Sequence, residues 1–107
     1  MGSEDDTRLR IGAQLALLTH VTPELRSVSA DIEPGRRLVQ VRFIFAREPS
    51  HSERDAASCA AGEIIANYSD GWSIDEQYLV VPTPEKMSHL RLVVYHRCED
   101  ERVGPDA

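Results

Sequence analysis

Two residues capable of chemistry stand close together near the end of the chain. The stretch LRLVVYHRCED, residues 90–100, reads as a strand. Strand side chains alternate between faces, so Leu92, Val94, His96 and Cys98 share one side. A histidine beside a cysteine is the raw material of a thiolate nucleophile, or half of a metal site. A nucleophile and its base must come within hydrogen-bond reach, but strand neighbours at i and i+2 lie roughly 7 Å apart along the chain. A metal site would need two further ligands. His20, His51, His89 and Cys59 are spread over a helix end, a helix start, a loop and a helix, with no diagnostic spacing. A strand whose apolar face simply runs out in two tolerable residues accounts for the stretch better. No catalytic residue, metal ligand or cofactor is expected; a small enzyme using His96 and Cys98 is the weaker alternative. Cys59 has Glu63 four residues on, and a neighbouring carboxylate raises a thiol's pKa rather than activating it.

Binding surfaces are better candidates than catalytic ones. Asp70, Asp75 and Glu76 flank Trp72, with Glu63 on the helix before them. An aromatic ringed by carboxylates can anchor a basic partner. The plain alternative is a tryptophan that closes the end of the core among solvated charges. Arg91, Tyr95 and Arg97 fall on the outer face of the last strand, beside Gln40, Arg42 and Ile44 of an earlier one. Tyr and Arg are enriched at interfaces, so this face is an alternative docking or homodimer surface.

These residues need elements to hold them. In RLRIGAQLALLTH the spacing of Ile11, Leu15 and Leu18 at i, i+4, i+7 predicts an amphipathic helix with that stripe inward. Asp5 and Asp6 ahead of it suit the positive end of a helix dipole, and Pro23 ends it. LRSVSADI and LVQVRFIFA alternate with period two around Pro34-Gly35, which predicts a hairpin. Val28, Ala30, Ile32, Val39, Val41, Phe43 and Phe45 are its inward residues. Ser50 followed three residues later by Glu53 is a capping-box pattern. It opens a helix whose Ala57, Ala60, Ala61, Ile64, Ile65 and Tyr68 form a thin apolar face. Asp70-Gly71 stops it. A strand over residues 74–81 ends at Pro82, and the last strand follows. The order α-β-β-α-β-β predicts a two-layer α+β domain, with both helices on one face of a four-stranded antiparallel sheet.

The chain has 107 residues, enough for a single domain, with residues 1–7 and 99–107 expected as tails. Its net charge of −6 argues against nucleic acid and anionic membranes as partners. Two cysteines make no disulfide framework, and no apolar run approaches the roughly 20 residues of a membrane span. The acidic, polar start does not read as a signal peptide, so a cytoplasmic location is expected.

Three segments carry a family likeness. LALLTHVTPELRSVSADI, with Thr22-Pro23-Glu24-Leu25-Arg26 its most specific part, resembles the opening of a family of small bacterial immunity proteins from toxin–immunity pairs. FIFAREPSHSERDAASCAAGEIIANYSD resembles their middle, and LRLVVYHR their closing strand. Thr19 stands where the pattern would carry glycine. The resemblance covers roughly residues 9–97. It implies a non-enzymatic protein of the contact-dependent-inhibition or polymorphic-toxin kind, which binds and neutralises a cognate toxin domain. A nuclease or other nucleic-acid-modifying toxin with a basic cleft is the expected partner.

Overall fold

The structure, a computed structural model, describes residues 3–99. Helix α1 (Ser3–Leu17) is followed by β1 (Leu25–Glu33), a single 3-10 turn (Pro34–Arg36) and β2 (Leu38–Phe45). Helix α2 (His51–Ile65), β3 (Ser73–Val80) and β4 (Leu92–His96) complete the chain. The four strands form one sheet in the order β3-β2-β1-β4. Both helices cover one of its faces, α1 over β1 and β4, α2 over β2 and β3.

The sheet is mixed, not wholly antiparallel. β1 pairs antiparallel with β2 and with β4, as expected, but β2 and β3 are parallel, Val39 opposite Ile74 and Phe43 opposite Tyr78. The reason lies in α2. A 15-residue helix spans about 22 Å and carries the chain back to the end of the sheet where β2 began. The next strand therefore runs the same way as β2, as in any strand–helix–strand crossover.

Helix α1 turns a different side inward from the one its spacing predicts. Ile11, Leu15 and Leu18 are exposed, and Leu9, Ala13, Ala16 and Leu17 are buried in their place. The helix carries two apolar stripes, and the thinner one packs. Small residues let two helices fit side by side on four strands: Ala57, Ala60 and Ala61 do the same on α2. Gly12 completes the fit, since a β-carbon there would lie 2.8 Å from Asn67 Nδ2 beyond α2. The helix begins at Ser3, so Asp5 and Asp6 fall within its first turn rather than ahead of it.

Val28, Val41, Phe43, Ile64 and Leu92 meet in one core, as expected. Phe43 stacks on Tyr78 with ring centroids 5.4 Å apart. The capping box at α2 forms in both directions between Ser50 and Glu53. Gly71 takes a φ of +93°, open to glycine alone at little strain, which places the turn after α2 where Asp70-Gly71 marked it.

The opposite face of the sheet is partly covered as well. The connection from β3 to β4, residues 81–91, runs from one edge strand to the other across it. Arg26 Nη1 donates to the carbonyls of Val81 (2.8 Å) and Glu85 (3.0 Å), and Arg42 Nη1 to that of Ser88 (2.8 Å). Ser29 Oγ accepts from the Leu90 amide, and Ser27 Oγ lies 3.0 Å from His89 Nε2. Arg26, Ser27 and Ser29 are thus buried polar residues with partners, which explains serines at fully buried positions of a central strand.

Candidate functional site

The carboxylates gathered around Trp72 in the sequence are not gathered in space. Asp75 and Glu76 are successive residues of edge strand β3 and point to opposite faces. Glu76 lies on the helix side and accepts a 2.7 Å hydrogen bond from Tyr78 Oη, which burial and this carboxylate hold well above the usual tyrosine range. Asp75 is exposed on the other side and accepts from Gln77 Nε2. Glu63 is exposed on α2 and sits 3.0 Å from His20 Nε2, tying the ends of the two helices together. Asp70 is exposed in the turn. Trp72 is half-buried, packs on the core and stacks against Tyr68 at 5.0 Å, which is the core-closing role. Asp70 and Asp75 remain as exposed carboxylates on either side of it along the chain.

The alternative surface of Arg91, Tyr95 and Arg97 is broken up by a bulge. Ser29 faces Val93 and Val28 faces Tyr95, so one extra residue of β4, Val94, intervenes and alternation shifts. Tyr95 then packs against the core, and His96, opposite Ser27, leaves the face it shared in sequence with Leu92 and Val94. Both arginines serve as ties. Arg91 forks onto Asp6 at 2.8 and 2.9 Å and donates to Asp31, fastening the start of α1 to the sheet; its guanidinium holds the Asp6 carboxyl below its ordinary value. Arg97 donates to the Pro23 carbonyl and to Glu99.

His96 and Cys98 do not make a pair on one strand face, because β4 ends at His96. Both are exposed. The His96 ring neighbours that of His89, 6.0 Å between centroids, and its Nδ1 lies 2.8 Å from the Arg97 carbonyl. Among the described residues no group of three or more His, Cys, Asp or Glu side chains could hold a metal ion, and no helix is long and apolar enough to cross a membrane. Glu99 lies within the described chain and is clasped by Arg26 through two 2.9 Å bonds.

What the spacing did not reveal is the outward line of Ile11, Leu15, Leu18 and Val21, all exposed. The signal was present: α1 has a second stripe, Leu9-Ala13-Ala16-Leu17, at the same helical period, and only one of the two can face the sheet.

The arrangement is that of a small, well-tied scaffold with charged and apolar surface, suited to binding another macromolecule. The family model of the MafI2 immunity protein matches residues 6–99, which takes in nearly all the described fold. No curated protein matches the chain. The chain therefore belongs to the MafI2 immunity protein family, small bacterial proteins that give protection against a toxin.

Proposed function

We propose that the chain neutralises its toxin in the cytoplasm by direct, stoichiometric contact. We further infer that the toxin is a nuclease or another enzyme acting on nucleic acid, of the contact-dependent or polymorphic kind. The family match over residues 6–99 carries the first part. The net charge of −6 supports the second. An enzyme that handles phosphate backbones has a basic cleft, and an acidic protein is drawn to that cleft and can occupy the place of phosphate. No reaction of its own is assigned to the chain.

Asp70 and Asp75 are the carboxylates we assign to steering the encounter, with Glu63 and Glu76 engaged by His20 and Tyr78. Trp72 shares in the fold, so its replacement reads folding as well as binding. The test uses the C-terminal toxin domain of the protein encoded beside the immunity gene. Its degradation of RNA and DNA should cease when the chain is added in equal amount. Degradation that continues at excess chain would refute neutralisation by contact. A toxin that leaves nucleic acid intact but is still neutralised would refute only the nuclease assignment. Asp70→Lys with Asp75→Lys should slow association at low salt and leave dissociation unchanged.

A further inference from the structure

We propose that the aliphatic stripe on the outer side of α1 is the centre of the toxin-docking surface, and that its occupant is an apolar groove on the toxin rimmed by Lys and Arg. The proposal rests on the reading of the chain as an inhibitor of a basic toxin domain. Ile11, Leu15, Leu18 and Val21 are 51%, 63%, 76% and 40% exposed. Ile11, Leu15 and Leu18, at spacings of four and three residues, fall in one line at the helical period, and Val21 follows in the chain after α1. Together they expose on the order of 400 Å² of apolar surface, the size at which a patch on a monomer is often functional. The stripe is not unfinished core, because the opposite side of α1 already fills its place on the sheet with Leu9, Ala13, Ala16 and Leu17.

The surroundings give this line a shape and a charge. The two helices pack side by side, with Gly12 near Asn67 and His20 against Glu63. On α2 the exposed residues Cys59, Gly62 and Ala66 lie away from the sheet and are all small, so the aliphatic ridge of α1 stands beside a low shelf. Carboxylates border both, with Arg8 among them. Glu4 continues the line two turns before Ile11, Asp55 lies two turns before Gly62 on the outer side of α2, and Glu63, bonded to His20, sits between the helices. Arg8, one turn before Ile11, lays its guanidinium over the Tyr68 ring at 5.4 Å.

Charge and area choose the occupant. A second copy would bring together two chains each of net charge −6, which repel. The stripe alone offers about half of the roughly 800 Å² that each partner buries in a standard interface. Ridge and shelf together span two helices about 22 Å long, a broader surface for a different, basic partner.

Binding kinetics of the full chain with the toxin domain encoded beside it, made inactive by substitution, test the proposal. Leu15→Gln with Leu18→Gln should speed dissociation at least tenfold and leave the thermal midpoint near wild type, since both side chains already lie in water. Leu15→Arg should weaken binding more than Leu15→Glu, because the facing rim is basic. Unchanged dissociation in the double variant would overturn the docking surface. Equal or greater damage from Leu15→Glu would overturn the basic rim. If the double variant keeps toxin binding but turns a dimeric free chain into a monomer, the occupant is a second copy and the proposal fails. If the wild-type chain neither binds nor protects, the functional reading falls first and the docking surface with it.

Discussion

Phe43 and Glu99 show how single residues hold this fold. Phe43 is fully buried between the helices and the sheet and stacks on Tyr78. Phe43→Ala should cost roughly 3–5 kcal/mol, measured by denaturant unfolding. A loss under about 1 kcal/mol would contradict the burial of Phe43, since even a site that collapses still loses the transfer free energy of the ring. Glu99 acts through charge. Its hydrogen bonds from Arg26, and then Arg97, hold its carboxyl below the ordinary value of 4.5. A carboxyl depressed in the folded state stabilises fully above its unfolded value, and that stability is lost as pH falls through the window below it. The thermal midpoint should therefore fall as pH drops below about 4.5. Glu99→Gln should melt earlier at pH 7 and fall less steeply in acid. An equal slope in the variant would pass the effect to Asp6 and Glu53, whose carboxyls are also held low. Sequence periodicity located Phe43 because one neighbour pattern decides a strand's inward face. It could not pair Arg26 with Glu99, 73 residues apart, because no local period links them.

At the scale of elements, the turns, caps and strands were legible and the competition between faces was not. The capping box at Ser50 rests on local hydrogen bonds, which residue types three apart announce. Ser50→Ala should lower stability by about 1 kcal/mol in thermal or denaturant unfolding, and Ser50→Asp should restore most of it. A silent Ser50→Ala would mean that the first turn of α2 is held by Arg47 and Glu53 instead. The direction of β3 depends on the path of α2 across the sheet, which is a tertiary matter. The same holds for α1, where the thinner stripe of Leu9, Ala13, Ala16 and Leu17 took the sheet because two helices must share four strands. The bulge in β4 moved Tyr95 and His96 to unexpected faces, and a one-residue insertion leaves no mark in an alternating string. The acidic cluster around Trp72 dissolved for a related reason: neighbours in a strand part company at every step.

For the molecule as a whole, one face of the sheet is covered by the helices and the other in part by the chain between β3 and β4. Among the described residues, the surfaces open to a partner include the outer side of the helices, the exposed carboxylates near β3, and edge strands β3 and β4 with Leu79, Val80 and Val93 exposed. A protein of net charge −6 built in this way should act by binding, with association fast at low salt and slower as salt screens the approach. Calorimetric titration of the chain into the toxin domain encoded beside it, paired with the toxin's activity at each point, tests this most directly. The expected result is a single transition at one chain per toxin, with activity extinguished at the same ratio. Activity that persists after the binding transition is complete, or protection without any complex, would contradict neutralisation by contact.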